Sequence, residues 1–242
     1  MTKQLLFIPL FILLSTTPSL SQARRTQPDV LRKGNQLMGQ NKVDEAIAEY
    51  DRVIKADPHN AEAYFRRGIA QRAKGHLNNA ISDYEQALAL KPQLAKQGAT
   101  ISEPYFERGT RHSDDLNITA ALADMDRAIA LYADNPTYFY HRGQARLIAG
   151  RYAEAEDDFT RFITKPSART KSPKSFLDAY GLAFRGYARL KQGKEAAAKE
   201  DFEQAEKLAE EFKVQIQLQL LMIEAKSQEW QRIEAERRRR TV

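Results

Sequence analysis

Cysteine is absent from the 242 residues. That excludes a disulfide framework, a thiol nucleophile and thiolate metal ligands. It also removes the residue on which a bacterial lipoprotein would carry its lipid. Glycine and proline are scarce, at 11 and 9 residues. The glycines stand singly in helices or turns, so no glycine-rich phosphate loop is present. The four histidines, His59, His76, His112 and His141, occupy unrelated places, and none has a partner at H-x-x-x-H spacing. Serine-nucleophile motifs are missing, and acidic pairs such as Asp157-Asp158 read as solvated helix charges. Asn117-Ile118-Thr119 matches a glycosylation sequon, a short pattern common by chance that would matter only in a eukaryotic secretory pathway. The expectation is a protein without catalytic residues, metal or cofactor.

Long apolar runs are also lacking, with one exception at the N-terminus. Lys3 precedes the apolar stretch Leu5–Leu14, which Pro9 interrupts. Small residues follow, and Ser21-Gln22-Ala23 fits a cleavage site just before Arg24-Arg25. Residues 1–23 read as a secretory signal peptide, which places the chain in the periplasm or outside the cell. The competing reading is an uncleaved anchor, although the run is shorter than the ~20 residues a span needs. From Arg24 onward the formal net charge falls from +6 to +5, and four of those charges are Arg237–Arg240. The basic pI of about 9.4 is therefore mostly a tail effect, and a nucleic-acid face is not expected.

What remains is a recurring pentapeptide: YFRRG at Tyr64–Gly68, YFERG at Tyr105–Gly109, FYHRG at Phe139–Gly143 and LAFRG at Leu182–Gly186. Twelve residues after each glycine stands Ala80, Ala121, Ala155 or Ala198. Four further on stands Tyr84, Met125, Phe159 or Phe202. Gly34, Ala46 and Tyr50 fit the same ruler. The glycines are spaced by 34, 41, 34 and 43 residues, a period that marks a solenoid of two-helix units. In the second copy, Ala61 to about Lys74 and Leu77–Leu90 read as helices broken at Gly75, where a reversal wants positive φ. Lys91-Pro92 closes the copy, because proline disfavours helix in the preceding residue. Gly68 and Ala80 mark a close helix crossing that Tyr64 and Tyr84 fill.

This pattern resembles the tetratricopeptide repeat. The resemblance implies an all-α, right-handed superhelix of about five hairpins with a long C-terminal helix. The copies run over about 27–60, 61–94, 102–138, 139–168 and 179–212 within a solenoid of residues 24–212. Residues 213–242 form a capping helix with a basic tail; a partner-binding or dimer-forming helix is the other reading. Its apolar sector holds Ile216, Leu218, Leu220, Leu221, Ile223, Trp230 and Ile233. Ala95–Ile101 and Lys165–Phe176 read as loops, and copy five lacks a closing proline, so its second helix is expected to run on. The eleventh place, often aromatic in the family, holds Leu37, Gln71, His112, Arg146 and Arg189, and Phe162 replaces a small residue in copy four.

A further regularity appears when the copies are aligned. Lys33, Arg67, Arg108, Arg142 and Arg185 precede the glycines, and sixteen residues later stand Glu49, Asp83, Asp124, Asp158 and Asp201. The expectation is one structural ion pair per hairpin; the alternative is that acids merely dot solvent faces.

In the family the first helices line a concave groove. The resemblance places Leu31, Asn35, Phe65, Ile69, Arg72, Phe106, Thr110, Tyr140, Gln144, Leu147, Tyr180 and Tyr187 there, an aromatic stripe suited to holding a peptide. The same rings would also serve to pack neighbouring repeats. A carboxylate clamp for acidic C-terminal peptides is not reproduced. The function expected is a non-catalytic scaffold that binds a protein or peptide in the groove. The alternative is a membrane-peripheral spacer attached through Arg237, Arg238, Arg239 and Arg240, residues that also suit a helix C-terminus.

Overall fold

A computed structural model describes residues 27–164 and 176–240. The apolar run, the cleavage-like Ser21-Gln22-Ala23 and residues 165–175 lie outside the described residues. Among the described residues, eleven α-helices form five antiparallel hairpins and a final long helix: α1 (Gln27–Gly39) with α2 (Val43–Ala56), α3 (Ala61–Ala73) with α4 (Leu77–Leu90), α5 (Gly98–Asp114) with α6 (Ile118–Leu131), α7 (Pro136–Ile148) with α8 (Tyr152–Thr164), α9 (Phe176–Lys191) with α10 (Glu195–Leu208), and α11 (Lys213–Arg240). Each helix from α1 to α9 packs on the next, and among the first helices α1 touches α3, α5 touches α7 and α7 touches α9, while α3 reaches α5 through Arg72. The first helices thus form one row of a superhelix.

Local chemistry sets the helix ends. The Asn60 side chain accepts the Ala63 N–H at 3.0 Å, satisfying a donor the helix leaves orphaned. The five hairpin turns each contain a residue at positive φ: Asn41, Gly75, Leu116, Gly150 and Gly193. Within the hairpins, the recurring glycines are needed for room. A Cβ on Gly143 would come within 2.8 Å of Phe159 Cζ, and that ring is fully buried.

The sixteen-residue regularity brings charges together. Arg67 Nε and Nη2 donate to Asp83 at 2.9 and 2.6 Å. The same fork joins Arg108 to Asp124 at 2.7 and 2.6 Å, Arg142 to Asp158 at 2.9 and 2.6 Å and Arg185 to Asp201 at 3.0 and 2.6 Å. Lys33 reaches Glu49 at 2.5 Å. All four aspartates are buried. Burial pushes the Asp83 carboxyl up, against the pull of the Arg67 fork. The arginines also cross to the preceding hairpin: Arg67 donates to Asp51 at 2.6 Å, Arg142 to Asp126 at 2.7 Å and Arg108 to Asn78 at 2.7 Å. Each fork therefore ties one hairpin together and, in three of the copies, fastens it to its neighbour.

The departures from the family pattern also find partners. At the eleventh place, Arg146 adds a 2.6 Å bond to Asp158, Arg189 a 2.9 Å bond to Asp201, and His112 lies 3.9 Å from Asp124. The bulk of Phe162 is taken up by Gly181 on α9, where a Cβ would approach Phe162 Cδ1 to 2.7 Å.

Two expectations need correcting. Ala95–Ile101 is not a loop: Pro92–Gln97 forms a 3-10 turn and α5 starts at Gly98. Ile101 and Ser102 are fully buried and Ser102 Oγ lies 3.0 Å from the Tyr138 hydroxyl, so the extra residues extend the core. Nor does α10 run on. It stops at Leu208 without a proline, because Ala209 leaves the helical region at φ −154° and ψ 57° and is itself buried. A 3-10 turn over Glu210–Phe212 then redirects the chain into α11.

Candidate protein-binding groove

The row of first helices presents three kinds of surface. Leu31, Phe65 and Leu147 are 3%, 5% and 1% exposed, so these three, expected in the groove, belong to the core between repeats. Phe65 packs on Tyr84 with ring centroids 5.5 Å apart. Asn35 is exposed and accepts the Tyr50 hydroxyl at 2.9 Å. Ile69, Arg72, Phe106, Thr110, Tyr140, Gln144, Tyr180 and Tyr187 are half-buried.

The second surface lies toward the C-terminal end, and α11 covers it. This helix packs on α7 and α9, so it fills part of the row of first helices in addition to following the last hairpin. Ser227 Oγ donates to the Ile148 carbonyl at 2.9 Å, Lys226 reaches Asp114 on α5 at 3.1 Å and Lys191 reaches Glu224 at 2.9 Å. Ile223 and Trp230 join a cluster with Tyr140, Tyr180 and Tyr187. Between α5, α7 and α11 is a cavity of about 230 Å³, lined on one side by Thr110, Ser113, Asp114, His141 and Gln144 and on the other by Gln219, Met222, Ile223 and Lys226. Burial pushes the His141 imidazole below its usual value, with Asp114 opposing. Tyr140 lies among Phe159, Phe162, Phe184 and His141, and burial pushes its hydroxyl well up.

The third surface is a cleft of about 450 Å³ between α3, α5 and the start of α7. Arg72 on α3 bridges to Glu107 at 2.6 Å and pairs with Glu103, both on α5. Phe106 packs beside them against Tyr138 at 4.7 Å and His141 at 5.2 Å. Tyr132, Asp134 and Asn135 complete the lining. Rings offer area at small entropy cost and the acids offer directed acceptors, so the cleft suits a segment with an apolar and a basic or hydrogen-bonding side chain. Among the described residues there is no group of His, Asp and Glu side chains that would hold a metal, and no helix long and apolar enough to cross a membrane.

The family models described as tetratricopeptide repeat match residues 31–95, 106–169 and 179–212. The chain belongs to the tetratricopeptide repeat family. The curated relatives share only repeats with it. Soybean (Glycine max) Hsp70-Hsp90 organizing protein 1 is 34% identical over 64 residues, which is 26% of this chain and 11% of that protein. Mouse (Mus musculus) protein O-mannosyl-transferase TMTC1 is 38% identical over 60 residues, 25% of this chain and 6% of the transferase. The chain thus aligns with less than a fifth of either relative. Among solved structures, YrrB, described as a TPR protein with an unusual peptide-binding site, superposes at a TM-score of 0.55 with 17% identity, covering 84% of this chain and 95% of YrrB. MamA from Desulfovibrio magneticus RS-1 superposes at 0.50 with 13% identity, covering 78% of this chain and 98% of MamA. Both likenesses speak to the tetratricopeptide fold alone.

The sequence reading missed two features of the groove. It did not find the Arg72–Glu103–Glu107 tie, whose partners lie in different repeats with an insertion between them. It also did not divide the apolar sector of α11. There Ile216 and Ile223 face inward at 7% exposure each, while Leu218 and Leu221 face outward at 55% and 62%.

Proposed function

We propose that this tetratricopeptide protein is an exported, non-catalytic scaffold that holds an extended segment of a protein partner in the cleft between α3, α5 and α7. The observation that carries this reading is the half-exposed Phe106, set beside the Arg72–Glu103–Glu107 tie in the stretch of the inner row that α11 leaves uncovered. Affinity comes from a rigid, preformed surface that orders few side chains on binding. No bond is made or broken. The export half of the reading rests on Lys3, the run Leu5–Leu14 and Ser21-Gln22-Ala23.

Peptides selected from a random display library on the intact protein test the groove. Truncating a buried aromatic anchor at an interface costs on the order of 1–2 kcal/mol or more, roughly ten-fold in affinity. The selected peptides are expected to bind the Phe106→Ala variant about ten-fold more weakly, with helicity unchanged. Equal binding to both proteins would overturn the reading. Recovery of the chain only from the cytoplasmic fraction, with residues 1–23 still attached, would overturn the location.

A further inference from the structure

α11 is held lightly compared with the hairpins it crosses. Of its 28 residues, Ile216, Ile223 and Ser227 are the buried ones. The ion pairs that fasten it are open to solvent: Asp114 is 77% exposed where it meets Lys226, and Glu224 is 40% exposed where it meets Lys191. Exposed pairs of this kind contribute little. Four of the hairpins, by contrast, are closed by arginines on buried aspartates. The fit beneath α11 is also incomplete. Side chains around the cavity of about 230 Å³ forgo contacts on that side. The indole N–H of Trp230 is buried with no acceptor among the described residues, which counts against the docked position.

What lies under α11 is nevertheless well marked. Tyr140, Tyr180 and Tyr187 offer rings, and Ala179 and Ala183 on α9 let a helix come close. α11 meets them with Ile216, Leu220, Ile223, Ser227 and Trp230, at steps of four, three, four and three residues, which is one helical face. Ser227 Oγ donates to the Ile148 carbonyl, at the end of α7 where carbonyls have no intrahelical partner. Lys191 on α9 and Asp114 on α5 flank the surface with opposite charges and so set the direction of the helix. We propose that this inner surface of α7 and α9 is a helix-binding seat and that α11 is its displaceable resident. The partner is an amphipathic helix of the same pattern, docked face-down. It carries three aliphatic residues, a small hydroxyl residue and a tryptophan at those steps, with an acid three places before the hydroxyl and a base one place before it. Such a helix outcompetes α11 by setting larger side chains where Gln219 and Met222 leave the cavity. The seat is separate from the α3–α5–α7 cleft and stands whether or not that cleft binds a peptide.

A fluorescein-labelled peptide of residues 213–234, titrated against the full chain by anisotropy, tests the seat. In the wild type the resident helix competes at high effective concentration, so the peptide binds weakly. Ile223→Glu in the full chain spoils the resident face and is expected to tighten binding of the wild-type peptide at least about ten-fold. A peptide carrying Ile223→Glu should not bind that chain, whereas one carrying the outward Leu221→Glu should bind as the wild-type peptide does. The chain has no cysteine of its own, so Lys191→Cys with Glu224→Cys, joined by a short bismaleimide, locks α11 down in place of the ion pair. The lock is expected to abolish the binding that the wild-type chain shows. Peptide binding that ignores the lock, or that fails in the Ile223→Glu chain, would overturn the proposal. So would unfolding of the five hairpins by Ile223→Glu, read by far-UV circular dichroism, because α11 would then be part of the core and not a removable occupant.

Discussion

At the residue scale, the five acids sixteen positions after the basic residues differ in what they hold. Asp158 is fully buried and accepts from both Arg142 and Arg146, whose side chains are 11% and 12% exposed. Lys33, by contrast, is 65% exposed where it meets Glu49. Removing one member of a buried pair strands the other without water, whereas an exposed pair is largely screened. Asp158→Ala is therefore expected to lower the unfolding free energy by roughly 3–5 kcal/mol. Lys33→Ala should cost less than about 1 kcal/mol, both measured by urea titration. Similar costs for the two would mean that burial does not set the strength of these pairs. Charge sign and spacing were legible in the sequence. The second arginine on the same carboxylate was not, because Arg146 and Arg189 read as departures from the family pattern until the turn folded them back.

At the element scale, α11 carries the chain's single tryptophan and lies over the cavity that His141 lines. The groups facing that cavity are Thr110, Ser113 and Asp114 from α5, Gln144 from α7, and Gln219 and Lys226 from α11. Asp114 and Lys226 are engaged with each other, so a proton on His141 has little to compensate it. A histidine whose folded value lies below its ordinary 6.5 takes up its proton more readily when released. Its stabilising contribution is complete above the ordinary 6.5 and is lost as pH falls from there through the lower folded value. Acidification from about pH 7 to about pH 5 is expected to loosen α11 and shift Trp230 emission to the red. His141→Asn should remove most of that shift. An unchanged spectrum in the intact protein would separate His141 from the docking of α11. An apolar sector of Ile216, Leu218, Leu220, Leu221, Ile223 and Trp230 was legible in the sequence. Its division into an inward and an outward stripe followed from Ala209, which breaks the chain and aims α11 back along the first helices.

At the scale of the whole molecule, each hairpin is held by its neighbours, so stability varies along the stack. The first hairpin has one neighbour and an exposed pair, Lys33–Glu49. The third and fourth have neighbours on both sides, and α11 reaches both through Asp114 and Ile148. The fourth and fifth are also tied by Glu156. Burial works against its charge, but hydrogen bonds from Lys194, Arg189 and Gln192 hold the carboxyl at about 2. In native-state hydrogen exchange, amides of α1 and α2 are expected to open at lower free energy than those of α5–α8. Equal protection throughout would mean that the stack opens as one unit. The five-hairpin architecture, its helix crossings and the register of its charged pairs were determined by the sequence alone, because each depends on contacts within one short repeat that recurs. Only the tertiary structure decided which inner-row rings are core, which lie under α11 and which remain open. Those outcomes depend on residues far apart in the chain, brought together by the curvature of the stack and by the break at Ala209 before the final helix.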